Sequence, residues 1–136
     1  MYKCKHFKIY ELVDPVTYEK YGEGAWKFFD IDILVLADAL RERYGPCTVN
    51  DWFWGGKFKY SGYRPSSCRI GAKMSLHRFF RALDMKFKNI SAAKVRKGIR
   101  DDMGYWEVMG LKRVENKVNW LHIDTANVNP VRFFNP

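Results

Sequence analysis

Apolar side chains recur at helical spacing most clearly in residues 31–44. Five of them fall on one face of a helix: Ile33, Leu36, Ala37, Leu40 and Tyr44. Asp30 precedes the segment and can cap it, and Gly45 and Pro46 follow it as a stop signal. A helix with one apolar stripe buries that stripe against another layer, so we expect this helix to cover a sheet.

Two further helices are predicted mainly from their first residues. Asp14 can cap a short helix over residues 14–22, and Pro15 then takes the first helical position, where no amide proton is needed. Ser91 can cap a longer helix over residues 91–103. The chain is therefore expected to contain three helices.

Alternating apolar and polar residues predict a small set of strands. Residues 111–115 and 118–124 form a predicted hairpin around a turn at residues 116–117. Residues 81–87 alternate less regularly but fit a strand, and residues 47–50 are a short strand candidate. The other segments are predicted to be loops or extended chain: 51–56, 61–65, 66–74 and 127–136. This mixture predicts an α+β fold in which helices pack on one face of a small antiparallel sheet.

Length and composition indicate a single globular domain over residues 1–136. Hydrophobic residues make up 47% of the chain, which excludes a disordered protein. A domain of this size can bury a core without disulfides or a structural metal. A metal site in this chain is therefore expected to serve chemistry rather than folding.

The net charge of +9, from 24 Lys and Arg against 15 Asp and Glu, favours an anionic partner. Charge alone leaves open a nucleic acid, an anionic cell-wall polymer and a membrane surface. The chain has neither zinc-finger spacings nor an RRM signature, so no specific nucleic-acid partner is expected. A DNA-binding domain stays an alternative that rests on charge only, and the sequence does not indicate an oligomeric state.

The cysteines and the apolar segments bear on the compartment. Cys4, Cys47 and Cys68 are odd in number and lack CxxC spacing, which indicates neither a disulfide framework nor a cysteine zinc site. The N-terminus has no apolar run after its basic residues, so we expect no signal peptide. The most apolar stretch, 31–40, is short and interrupted by two aspartates, so we expect no transmembrane segment.

Two of the three histidines, His77 and His122, are candidate metal ligands. Asp84 follows His77 by seven residues and could complete a set of two imidazoles and one carboxylate. Catalytic zinc sites use three such ligands and leave a fourth position open, where the metal polarises a carbonyl and activates water. A lone histidine is more often a core or surface residue than a ligand, so spacing alone leaves both interpretations open.

The longer pattern around these residues resembles that of the M15 zinc peptidases, the D,D-carboxypeptidases and L-alanyl-D-glutamate endopeptidases of bacterial cell walls and phages. That family carries Ser-x-His-x-x-Gly-x-Ala-x-Asp followed by Trp-x-His. The matching residues here are Ser75, His77, Ala82, Asp84, Trp120 and His122. Residues 61–64 look like its Ser-Gly-Tyr/Phe-Arg segment, and residues 48–52 and 133–136 look like its small phage-encoded branch. The resemblance covers residues 30–136.

The resemblance implies a role for each matched residue. His77, Asp84 and His122 would bind one Zn²⁺ at the sheet. Arg64 would stabilise an oxyanion or bind a substrate carboxylate, and Ser75 would hydrogen-bond the substrate. The alternatives are a surface arginine and a serine that only caps the next turn.

Two positions depart from the family pattern. The glycine of the first motif is Phe80, and glycine commonly marks a backbone conformation that side chains disfavour. Many members carry a carboxylate three residues before the last histidine, where this chain has Asn119. Other branches place a glutamate just before a hairpin turn, and Glu115 fits that arrangement. We therefore assign Glu115 as the catalytic base, against the alternative of a solvated turn residue.

The function expected from this resemblance is zinc-dependent hydrolysis of peptide bonds in peptidoglycan stems or cross-links. Endopeptidase activity is favoured over carboxypeptidase activity, for phage lysis or wall penetration, with the protein in the host cytoplasm before release or attached to a virion. The alternative is a non-catalytic zinc module of a virion or assembly complex, because the related zinc site of the Hedgehog domain shows that the fold permits one.

Three residues outside the motifs complete the sequence-based expectations. Asp124 should share a strand face with His122, either to support its imidazole or to pair with a basic residue. Trp52 and Trp54 are expected in the core rather than on a glycan-binding surface, given the aromatic content of 17%.

Overall fold

The helices of the computed structural model, which describes residues 1–136, begin close to the predicted positions. They are α1 (Pro15–Tyr21), α2 (Ile31–Tyr44), α3 (Ala92–Asp101) and α4 (Met103–Val108). Asp14 accepts hydrogen bonds from the Val16 and Thr17 amides, and Ser91 accepts one from the Lys94 amide, so both predicted caps are confirmed. The short helix α4 was not predicted.

Asp30 precedes α2 but does not cap it through its side chain. Its carboxylate instead accepts a hydrogen bond from the Thr125 hydroxyl, at 2.6 Å. The side-chain cap expected from the sequence is therefore wrong, because a partner distant in sequence takes the carboxylate. Asp30 thus ties the start of the helix to the end of a strand.

The strands form one five-stranded sheet in the order β1-β2-β4-β3-β5. Their bounds are β1 (Cys47–Thr48), β2 (Ala82–Phe87), β3 (Arg113–Glu115), β4 (Leu121–Asp124) and β5 (Arg132–Phe134). All neighbours are antiparallel except β5, which runs parallel to β3. The sheet is therefore mixed, which corrects the expected antiparallel sheet, while the α+β class is confirmed.

The predicted hairpin of β3 and β4 is present, but β4 starts three residues later than expected. The guanidinium of Arg96, on α3, donates hydrogen bonds to the backbone oxygens of Val118 and Trp120, at 3.0 and 3.1 Å. These bonds hold the segment before β4 against the helix. They explain why the chain at residues 118–120 does not continue the strand.

The sheet has one apolar and one polar face, since side chains alternate along a strand. Leu83, Met85, Val114, Leu121 and Ile123 are fully buried in the hydrophobic core. Helix α2 packs on β2 and α3 packs on β4, so the helices cover this face as predicted. The residues between them project from the opposite face.

The two tryptophans after β1 differ in environment. The Trp52 indole donates a hydrogen bond to the Val13 backbone oxygen, at 2.8 Å, and the residue is partly buried. Trp54 is 61% exposed, so the expected core position is wrong for this residue. It lies edge-on to Tyr10, which stacks on Phe53, and the aromatic cluster is therefore built at the surface.

None of the helices is long and apolar enough to cross a membrane.

Candidate metal centre

The polar face of the sheet brings two of the predicted ligands together. Asp84 on β2 lies directly opposite His122 on β4 in the antiparallel register. His77 comes from a 3₁₀ turn over Leu76–Phe79, just before β2, and the Ser75 hydroxyl accepts a hydrogen bond from the His77 amide at the start of this turn. Strand register and turn therefore bring together residues that are 45 positions apart in the chain.

The three side chains form a tight, buried cluster. One ligand atom of each lies within 4.8 Å of the others, and exposure is 2% for His77, 8% for Asp84 and 6% for His122. Asp84 Oδ1 is 3.3 Å from His77 Nε2 and 3.0 Å from His122 Nδ1. The cluster could hold a metal ion.

Hydrogen bonds behind the cluster fix the orientation of both imidazoles. His77 Nδ1 lies 2.8 Å from the Gly62 backbone oxygen, and His122 Nε2 lies 2.8 Å from Asp124 Oδ2. The remaining nitrogen of each ring therefore faces Asp84. Metal-binding histidines are commonly held in this way by a carbonyl or a carboxylate.

Asp124 has both of the partners considered for it. Besides His122, its carboxylate is bound by the Arg113 guanidinium, at 2.9 Å from Nη2 and 3.0 Å from Nε. Asp124 itself is fully buried. The arginine thus offsets the cost of burying a carboxylate while that carboxylate orients the imidazole.

Gly62 is required for the contact with His77. A Cβ atom added to Gly62 would lie 2.1 Å from the Leu12 backbone oxygen, a distance that no side chain can adopt. The absence of a side chain lets the loop pack against the chain near Leu12. Its carbonyl then reaches the ring of His77.

Hydrogen bonds within the cluster stabilise the charged forms of Asp84 and His122. Burial raises the pKa of Asp84, but hydrogen bonds from His122 and His77 outweigh it and hold that pKa well below its usual range. Burial lowers the pKa of His122, but hydrogen bonds with Asp124 and Asp84 outweigh it and raise that pKa to about 9. Both shifts favour the charged forms, a negative carboxylate at Asp84 and a positive imidazolium at His122.

A cavity of about 470 Å³ opens at the cluster, which we call the metal cavity. It is lined by all three candidate ligands and by the other predicted site residues, Arg64, Ser75 and Glu115. Trp120 and Phe134 also line it, and the Phe134 ring lies edge-on to His122. The structure thus brings every predicted site residue to one cavity.

The Arg64 side chain is largely buried and is held by two hydrogen bonds, so it is not the surface arginine that the sequence left open. Its Nη2 lies 3.2 Å from Asp84 Oδ2, and its Nε donates to the Tyr60 backbone oxygen at 2.8 Å. Since both groups are largely buried, the ion pair orients the outer oxygen of Asp84. Arg64 therefore supports a candidate ligand as well as lining the cavity.

Glu115 and Asn119 lie in different places. Glu115 ends β3, next to Phe134 of β5 in the register, and lines the metal cavity. It belongs to none of the ion pairs of the structure. Asn119 lines a separate cavity with Arg96 and Lys86. Of the two positions considered for a catalytic carboxylate, only Glu115 is at the metal cavity.

Phe80 has a left-handed backbone conformation, as expected from the glycine that the resembling motif carries at this position. Its φ of 58° lies in the left-handed region, which is strained for a phenylalanine. The ring stacks on Tyr63 with centroids 3.8 Å apart and lies edge-on to Phe29 at 5.0 Å. Aromatic packing therefore holds the turn between His77 and β2 in a backbone shape that glycine adopts freely.

We expect Phe80→Gly to be more stable than Phe80→Ala, against the usual order of the two residues. Both variants lose the stacking on Tyr63, but only glycine relieves the left-handed strain, which is worth roughly 1 kcal/mol. Urea unfolding of the two variants and the parent measures the difference. A Phe80→Ala variant as stable as Phe80→Gly would show that the strain is absent.

The donor set of the cluster fits zinc. Two imidazole nitrogens and one carboxylate oxygen are ligands that Zn²⁺ accepts, and an adjoining cavity leaves room for a substrate.

The sequence did not predict Gly62 as a partner of His77, the contact of Phe134 with His122, or the pairing of Arg64 with Asp84. Only the alternation along β2 and β4 could have indicated which neighbours share the polar face.

No model of a protein family, no characterised protein and no solved structure matches the chain. Its membership of a family therefore stays a prediction from the sequence.

Proposed function

We propose that the protein is a zinc-dependent peptidase that hydrolyses peptide bonds in the stems or cross-links of bacterial peptidoglycan. One observation carries the proposal: His77, Asp84 and His122 meet within 4.8 Å at a cavity that Glu115 also lines. A metal site with an open cavity and a nearby carboxylate is typical of metal-assisted hydrolysis. We favour endopeptidase over carboxypeptidase activity because segments 48–52 and 133–136 resemble the phage-encoded branch.

His77, Asp84 and His122 would hold the metal, through the atoms that already face one another. Zinc bound there supplies Lewis acidity, which polarises a carbonyl group and makes water more acidic. The chain contributes the geometry: Gly62 and Asp124 hold the imidazoles, and Arg64 holds Asp84.

Glu115 would act as the general base and acid. Its carboxylate lines the metal cavity and pairs with no cation, so it can take a proton from the attacking water and pass it to the leaving amine. Ser75 lines the same cavity, but its hydroxyl accepts a hydrogen bond from the His77 amide. Its remaining donor would bind the substrate.

The direct test is the clearance of a cell-wall suspension by purified protein. We expect turbidity to fall, the activity to stop with a chelator, and zinc to restore it where magnesium does not, because magnesium prefers oxygen ligands. Release of new amino groups from the wall confirms that a peptide bond is cut. Full activity in a protein shown to be free of metal would contradict the proposal.

A non-catalytic zinc module of a virion or assembly complex is the second candidate. It is favoured by Asn119, which stands where many members of the resembling family carry a carboxylate and which lies outside the metal cavity. This alternative predicts one bound zinc per chain without turnover on any wall fragment. Either function fits a protein made in a host cytoplasm or attached to a virion.

A further inference from the structure

A second cavity, of about 350 Å³, adjoins the metal cavity. The two share four lining residues: Arg64, Ile70, Asp84 and Trp120. We call it the lysine cavity, because Lys57, Lys59 and Lys86 line it. A substrate that reaches Asp84 from the metal cavity can therefore extend into the lysine cavity.

Lys86 is built into the wall of this cavity. It follows Asp84 by two residues on β2 and so projects from the same polar face of the sheet. Its Nζ donates to the Ser61 hydroxyl at 2.9 Å and lies 4.3 Å from the centre of the Phe58 ring. Ser61 is fixed in turn, since its amide donates to Asn50 and its backbone oxygen accepts from the Asp84 amide.

Lys86 forms no direct ion pair with a carboxylate. Besides Ser61, its Nζ contacts only a backbone oxygen, that of Asp84, at 3.5 Å. The one carboxylate that lines the cavity belongs to Asp84, which already pairs with Arg64. Four cationic side chains and one carboxylate line the cavity, so it is positively charged, and the half-buried Lys86 ammonium has no direct ion-pair partner in it.

The other walls indicate the shape of a ligand. Phe58, Tyr60 and Trp120 line the cavity with aromatic surface, and Ile70 adds an aliphatic side chain. The Ser61 hydroxyl accepts from Lys86 and keeps its own proton for donation. A carboxylate can thus meet an ammonium and a hydroxyl, while the carbon chain that bears it contacts the aromatic walls.

We propose that the lysine cavity is a substrate subsite in which Lys86, with Ser61, binds a carboxylate of the peptide next to the bond at the metal centre. This inference rests on the proposed function, and it narrows the substrate to peptides that carry a free carboxylate at that position. Lys57 and Lys59 line the cavity and raise its positive potential.

Binding of soluble peptidoglycan stem peptides tests the subsite. The stems are prepared with free carboxyl groups and with all carboxyl groups converted to amides. Both are titrated calorimetrically into the zinc-loaded full chain carrying Glu115→Gln, which slows turnover, alone and with Lys86→Met, Lys86→Arg or Lys88→Met. Lys88 is an exposed lysine that follows β2 and lines neither cavity, so it is the matched control.

We expect the free-carboxyl stem to bind roughly 10- to 100-fold more tightly than its amide. Lys86→Met should abolish this preference, while Lys86→Arg and Lys88→Met should keep it. Equal affinity for the two stems, no measurable binding of either, or a preference that survives Lys86→Met would overturn the subsite. Binding with the expected preference but no cleavage by the chain with Glu115 intact would leave the subsite standing and count against the peptidase.

Discussion

His122→Ala is expected to lower zinc affinity by more than about 100-fold, since even the loss of a residue behind a ligand costs 10- to 100-fold. The substitution removes one of three donors and leaves the Asp84 and Asp124 carboxylates without the imidazole that lies between them. Hydrolysis of wall material should be lost with the metal. Metal analysis of the purified variant at a fixed free zinc concentration gives the result.

Two comparisons separate loss of the metal from loss of the fold. His77→Ala should also lose zinc, although it leaves the bonds between Asp124 and Arg113 untouched. His6→Ala removes the third histidine, which pairs with Glu42 outside the site, and should keep one zinc per chain. Stoichiometric zinc in folded His122→Ala would show that the cluster is not the metal site.

The parts of the fold that the sequence predicts are those decided by near neighbours. Asp14 and Ser91 cap helices through amides two or three residues away, so a local pattern contains both partners. The pairing of β5 with β3 depends on the return of a distant segment, and its register is invisible to local alternation. Asp30 shows the same limit, because Thr125 takes the carboxylate that the local pattern assigns to a cap.

The candidate site also has parts that the sequence predicts and parts that it does not. Its three candidate ligands could be named because two short motifs contain them, and the register of β2 and β4 places Asp84 opposite His122. The interactions that hold these three side chains could not be predicted. Arg64 reaches Asp84 from a loop 20 residues away, and the carbonyl under His77 belongs to Gly62. Such contacts follow from packing, which no short motif contains.

Glu115→Gln is expected to lower kcat on wall material by about 10²- to 10⁴-fold, the usual contribution of a general base. Glutamine has nearly the same shape but cannot take up a proton. Zinc content and stability should stay close to those of the parent, because Glu115 lies outside the candidate ligand set and belongs to no ion pair. Single-turnover assays alongside metal analysis separate the chemical step from binding.

Asn119 supplies the control for this assignment. It lines a separate cavity with Arg96, so Asn119→Ala should retain kcat, and Asn119→Asp should not restore the activity of Glu115→Gln. Arg96 holds the backbone on both sides of Asn119, and this anchoring keeps the residue away from the metal cavity. Recovery of activity in the Glu115→Gln, Asn119→Asp double variant would instead assign the proton transfer to position 119. A fully active Glu115→Gln variant would remove Glu115 from the chemistry altogether.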